Sequence, residues 1–241
     1  MFTKNFYYRL RYQLKAKAPA QVFFQFLLDR IKHPFTKSKK KYHRKLHQDY
    51  LKSKKTSTDY FSINAYYWHK ILNKNFNNFS YLEIGSWEGN SALYILKNYN
   101  TNKVLCVDHW EKDKEFFELS SGNFKNFELN MEEFKSRFIF YKQSSDNFFK
   151  ENEQKFDVIY VDGWHEAPQV YKDINNAWRS LNINGILICD DYFWGDLYGK
   201  SNLYGKSNNV PADAINKFLK EQKKTIKILC VNSNQIFLKK I

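Results

Sequence analysis

Tyr81-Leu82-Glu83-Ile84-Gly85-Ser86-Trp87-Glu88-Gly89-Asn90-Ser91 is the stretch from which the rest of the chain is read. An apolar run enters a turn bounded by Gly85 and Gly89 and leaves into Ala92-Leu93-Tyr94-Ile95-Leu96, which predicts a buried strand, a tight turn and a helix. Gly85 permits a turn that a side chain would obstruct, and Gly89 lets a ligand approach the backbone. The free N–H groups of the helix start, with the helix dipole behind them, favour an anionic group. A Gly-x-x-x-Gly pair taken alone also suits close packing, so the context must decide.

About twenty residues on, Val104-Leu105-Cys106-Val107 forms a second apolar run that ends in Asp108. A carboxylate at that strand tip accepts both hydroxyls of a ribose; the plainer reading is that it caps the following turn. Three further units repeat the pattern. Phe138–Tyr141 leads to Gln143-Ser144-Ser145-Asp146, Phe156–Val161 to Asp162-Gly163-Trp164-His165, and Gly185–Cys189 to Asp190-Asp191-Tyr192. Glu128 to Arg137 and Pro168 to Leu181 read as helices between strands. Strands alternating with helices predict an α/β fold with a mostly parallel sheet and a ligand at the carboxyl ends of its strands. After a helix at Ala214–Leu219, Ile226–Val231 and Gln235–Leu238 flank Asn232-Ser233-Asn234 and read as a closing antiparallel hairpin.

The order Glu83-x-Gly85-x-x-x-Gly89, Asp108, Ser144-Ser145, Val161-Asp162-Gly163-x-His165, then Gly185-Ile186-Leu187-Ile188-x-Asp190-Asp191-Tyr192 resembles class I S-adenosylmethionine-dependent methyltransferases, and more narrowly methyltransferase family 24. It is more distantly similar to the metal-assisted O-methyltransferases. The resemblance covers about residues 60 to 241 and implies a Rossmann-like methyltransferase fold, a seven-stranded, mostly parallel sheet with a C-terminal antiparallel hairpin. It places the methionine end of S-adenosylmethionine against Glu83, Gly85 and Ser86, the ribose against Asp108, and the adenine near Ser144 and Ser145, with Gly89 also among the cofactor-binding residues. His109 or Trp110 would pack on the adenine face, with core filling as the other reading of Trp110. Trp87 is a candidate for contact with the sulfonium.

Methyl transfer is an in-line displacement, and a hydroxyl acceptor must first lose its proton. A general base or a divalent cation does this, and the residues offer both. His165 beside Asp162 is the candidate base, with Glu166 as substitute. Asp162, Asp190 and Asp191 fall on the metal positions of the metal-assisted relatives and offer the hard oxygens that Mg2+ takes. The plainer reading is that Asp190 and Asp191 terminate a strand.

The charge is uneven. Residues 1–60 hold 16 Lys or Arg against 3 acids, while the remainder has 23 against 22, so the net +14 belongs almost wholly to the N-terminal end. The division expected is a basic helical extension at 1–58 and a methyltransferase domain at 59–241. Val22, Phe23, Phe26, Leu27 and Ile31 mark one helix face, Pro34 ends that helix, and Lys37 to Lys55 is a basic run. Another helix is expected over Asp59 to Leu72. The extension covers the catalytic domain or a dimer partner; its functional reading is peripheral contact with an anionic membrane. Nucleic acid is the competing partner. The apolar segment is too short to span a bilayer and lacks a cleavage pattern, and Cys106, Cys189 and Cys230 show no metal spacing, so a cytoplasmic, reducing location is expected.

The function expected is methyl transfer to a hydroxyl of a sugar or other polar small molecule; a nucleic-acid-associated methyltransferase and a binding module without catalysis are the alternatives. Residues 197–202 recur at 203–208, a duplicated loop that is read either as plain surface or as a lid. Tyr192, Trp194 and Tyr198 would then shape the acceptor pocket.

Overall fold

The computed structural model describes residues 4–110, 122–194 and 209–241. Two compact units share the chain, His33–Phe156 forming one and Met1–Lys32 with Asp157–Ile241 the other. The strands make a seven-stranded sheet in the order β3-β2-β1-β4-β5-β7-β6: β1 Phe79–Ile84, β2 Thr101–Asp108, β3 Ile139–Lys142, β4 Phe156–Val161, β5 Leu181–Cys189, β6 Ile226–Val231 and β7 Ile236–Lys240. The expected Rossmann-like architecture is present, closing hairpin included.

In the His33–Phe156 unit, β1 pairs in parallel with β2, and β2 with β3. Parallel strands need a crossover, which helix α4 (Asn90–Asn98) supplies between the first two. Its inward residues Ala92, Leu93, Ile95 and Leu96 are buried with Leu82, Leu105 and Val107, so apolar burial holds the turn before it in place. A 3-10 turn at Ser62–Asn64 precedes α3 (Ala65–Asn75), where a single helix from Asp59 is expected. Asp59 Oδ1 accepts the Ser62 N–H at 2.8 Å and delays the helix start. Helix α5 (Asn123–Met131) begins earlier than the sequence suggests, after Gly122 at φ +98°, and passes into a 3-10 turn at Glu132–Phe134. Helix α6 (Ser145–Glu151) follows β3.

In the other unit, β7 lies between β5 and β6 and is antiparallel to both. Helices α7 (Ala167–Ser180) and α8 (Pro211–Glu221) each carry Pro in the first turn, where no backbone donor is lost. Helix α1 (Lys4–Lys15) is part of this core. Phe6 stacks on Phe26 at 5.9 Å, Tyr12 packs on Phe193 at 5.5 Å, and Asn216 Nδ2 donates to Ala16 O at 2.9 Å.

Helix α2 runs Ala20–Leu51 with Pro34 inside it, so Pro34 does not end the helix as the sequence suggests. Proline removes one hydrogen bond and crowds one carbonyl, a cost of about 3 kcal/mol that burial can offset. Val22 and Phe26 before it, and His47 and Leu51 after it, are all buried, so each flank is held by its own packing. The basic run is therefore largely helical. Among the described residues no helix is long and apolar enough to cross a membrane.

Candidate active site

The turn from β1 to α4 is built on left-handed backbone. Gly85 and Gly89 stand at φ +88° and +86°, conformations that side chains resist. A Cβ on Gly89 would also come within 3.2 Å of Met131 Sδ and Phe127 Cδ2. The side of Gly89 that a Cβ would occupy is thus filled by α5. Gly85 N donates to Val107 O at 2.8 Å, fastening the turn to the end of β2.

Asp108 joins two loops. Its Oδ2 accepts the Trp87 N–H at 2.9 Å and its Oδ1 the Trp110 N–H at 2.8 Å, while Trp110 Nε1 donates to Trp87 O at 2.8 Å. Each carboxylate oxygen keeps a further lone pair for a hydroxyl. The Trp110 ring packs on Phe127 and Phe124, at 4.7 and 5.0 Å, which is the core-filling alternative. Glu83 is fully buried; its Oε2 accepts from Tyr81 at 2.7 Å and Ser91 at 2.8 Å, and burial pushes its carboxyl up to about 7. Glu83 Oε1 and Ser86 Oγ are buried without completing a hydrogen bond, although the Ser86 hydroxyl is close enough to favour the Glu83 anion. Ser144 caps α6, accepting the Asn147 N–H at 3.3 Å, and Ser145 is that helix's first residue.

At the ends of β4 and β5 a second cluster stands in the other unit. His165 Nε2 lies 2.9 Å from Asp191 Oδ2, and donor atoms of Asp162, His165 and Asp191 all lie within 4.8 Å of one another. The His165 ring stacks on Trp194 at 4.3 Å. Asp191 takes φ +54°, a left-handed turn that Asp tolerates better than most residues. Tyr160 donates to Asp162 Oδ2 at 2.7 Å and also bonds Asp190 Oδ2. Burial, with the charges of Asp190 and Asp191, holds the Asp162 carboxyl well above the usual range; burial and Asp191 raise Asp190 to about 6. Carboxyls crowded in this way share protons or bind a cation.

Residues 82–192 match the family whose description is "Methyltransferase domain", family 24. This segment is a methyltransferase domain. No curated protein matches the chain. Among solved structures, the O-methyltransferase from Bacillus cereus in complex with S-adenosylhomocysteine is 12% identical, with 91% of this chain and 100% of that one covered and a TM-score of 0.50. The Podospora anserina methyltransferase bound to S-adenosylhomocysteine is 16% identical over 83% of this chain and 88% of that one, at a TM-score of 0.51. These two share the methyltransferase domain's fold.

The methyltransferase domain brings together Glu83, Gly85, Ser86 and Asp108 in one unit and Asp162, His165 and Asp191 in the other. Of the expected cation set, Asp162 and Asp191 lie together with His165 in this cluster, and Asp190 stands beside them with protein partners of its own. Both Asp190 oxygens are occupied, Oδ1 by the Asp191 N–H and Oδ2 by Tyr160 and by Gln235 Nε2 at 2.7 Å. Tyr192 does not shape an acceptor pocket; it is fully buried and donates to Asn216 Oδ1 at 2.9 Å. Tyr198 and the 197–208 repeat lie outside the described residues.

Glu88 is the residue that sequence reading passed over. Fully buried, it accepts from Ser57 N at 2.6 Å and Asn126 Nδ2 at 2.7 Å, while Asn130 bridges Glu88 O and Lys55 O. The turn is thereby tied to residues 55–57. These partners are 31 to 42 positions from Glu88 in sequence, so no local motif reveals them.

Proposed function

We propose that the methyltransferase domain uses S-adenosylmethionine and transfers its methyl group to a hydroxyl oxygen of a sugar or other polar small molecule. Support for the cofactor comes from the orphaned Glu83 Oε1 and Ser86 Oγ at the Gly85 turn, which suit the amine and carboxylate of the methionine end. Asp108 would take the ribose hydroxyls on its remaining lone pairs, and Gly89 would act by holding the turn. Ser144 and Ser145, at the start of α6, would border the adenine. The bound cofactor supplies the electrophilic methyl.

The observation that carries the reading is the Asp162–His165–Asp191 cluster. Two carboxylates and an imidazole fit a divalent ion, Mg2+ or a borderline transition metal, and a bound ion would acidify an acceptor hydroxyl. His165 would otherwise take the proton directly at a ring nitrogen, with Asp191, at 2.9 Å, stabilising the imidazolium. Trp194 stacked on the imidazole would fix its plane. Asp190 and Tyr160 would hold Asp162 and Asp191 in place.

Release of S-adenosylhomocysteine in the presence of hydroxylated saccharides tests the reading, with and without chelator. Turnover is expected with one acceptor class, and loss on chelation followed by rescue with Mg2+ or Mn2+ would assign the ion. Binding of cofactor with no turnover on any hydroxyl acceptor would favour a non-catalytic module. A cytoplasmic enzyme is the matching location. Residues 1–58, with 16 bases, would serve as the accessory region, and salt-sensitive binding to anionic liposomes separates a membrane role from gel-shift with nucleic acid or from self-association into a homo-oligomer.

A further inference from the structure

Within the His33–Phe156 unit, away from the Gly85 turn, a pocket of about 330 Å³ opens among α2, α3 and α4. Tyr42, His43, Leu46, His47 and Tyr50 follow helical spacing, so α2 presents them on one face. His69 of α3 and Tyr94, Lys97 and Asn98 of α4 complete the lining. Its volume lies at the small end of the range for small-molecule sites, with room for a molecule of one or two rings.

The chemistry of the lining is specific. His47 and Tyr94 are buried, whereas Tyr42, Leu46, His69 and Lys97 are exposed, so the pocket has a closed side and an open one. Two of the phenol oxygens are occupied elsewhere: Tyr94 donates to Ala65 O at 2.9 Å and the half-buried Tyr50 to Glu133. Their rings remain as apolar faces. Burial pushes His47 down to about 4, and burial together with His69 lowers His43, so both imidazoles are neutral rings near neutrality. The His43 and His69 rings lie 4.3 Å apart, tilted by 33°. No carboxylate lines the pocket, and Lys97 is its one side chain with a permanent positive charge, its Nζ 3.6 Å from the Tyr50 ring centroid. Among the described residues, the buried His47 Nε2 completes no hydrogen bond.

We infer that this pocket is a second ligand site, which takes a planar aromatic molecule of one or two rings bearing a carboxylate or phosphate. Ring faces stack on the imidazole and phenol rings, and the anion pairs with the Lys97 ammonium. The site is independent of the proposed methyl transfer and stands whether or not that reading does.

Calorimetry and imidazole proton NMR on the full chain test it, with indole-3-acetate and phenyl phosphate as probes and 3-methylindole as the uncharged control. Saturable binding of at least one anion is expected, with the His43 and His69 signals moving. Lys97→Glu should weaken it about tenfold, and Leu46→Trp, which fills the open side, should remove it. Both side chains are exposed, so the folded state is retained and a thermal scan verifies this. No saturable binding of either anion, equal binding of 3-methylindole, or affinity unchanged in both variants would overturn the inference.

Discussion

Glu83 shows how a single buried group couples the Gly85 turn to solution conditions. Its carboxyl is raised to about 7 from 4.5 by burial, with Tyr81, Ser91 and Ser86 working the other way. Between those values the folded state keeps a proton that the unfolded chain has lost. Stability is therefore full below about 4.5 and declines as pH rises through about 7, by roughly 3 kcal/mol. Glu83→Gln keeps the acceptor for Tyr81 and Ser91 and should flatten the fall in Tm between about pH 5 and 8. Parallel curves for the two proteins would contradict this. Asp190 and Asp191, adjacent in sequence, should behave differently. Asp191→Asn, which tolerates the same left-handed backbone, should leave the Tm nearly unchanged and reduce turnover strongly. Asp190→Ala deprives Gln235 and Tyr160 of their shared acceptor and should cost about 1–3 kcal/mol of stability. Equal effects on stability would show that the cluster does not divide the work in this way. The sequence brought these acids together at strand ends but could not say which way each points. Adjacent residues after a strand leave on different sides, and the left-handed turn at Asp191 sets the choice.

At the scale of elements, the alternation of apolar runs with polar ends was enough to place the strands of the sheet and the closing hairpin. Period and turn chemistry are local, and Gly85, Gly89 and the Asn232–Asn234 turn carry them in plain sight. What local pattern could not reveal is where long-range packing overrides it. Helix α2 continues through Pro34 because each flank buries its own apolar residues, and α5 starts at Asn123 because Gly122 takes a left-handed turn before it. Glu88 and its ties to Ser57 and Asn126 belong to the same class. Gly89→Ala brings strain at φ +86° together with contacts at 3.2 Å to Met131 and Phe127. It should lower stability by about 1–3 kcal/mol in denaturant unfolding. A loss below about half a kcal/mol would mean that α5 yields to the added methyl.

For the molecule as a whole, the N-terminal residues enter the folded core. Helix α1 and the first turns of α2 pack with α8 and the segment after β5, and residues 55–57 bind the Gly85–Gly89 turn through Glu88 and Asn130. Charge counting described this region by its sign alone, because a surplus of Lys and Arg records the exposed face of a helix and not the buried one. Removal of residues 1–58 should therefore lower Tm by several degrees as well as change any salt-sensitive binding. An unchanged Tm would place the region outside the folding unit. The central claim is that the turn at Gly85 and the carboxylate of Asp108 hold S-adenosylmethionine. Calorimetric titration of the full chain with S-adenosylhomocysteine tests it most directly, alongside Asp108→Ala. The account predicts one site per chain, with affinity about tenfold or more weaker in the variant. No heat of binding in the folded wild-type protein, or equal affinity in the variant, would contradict it.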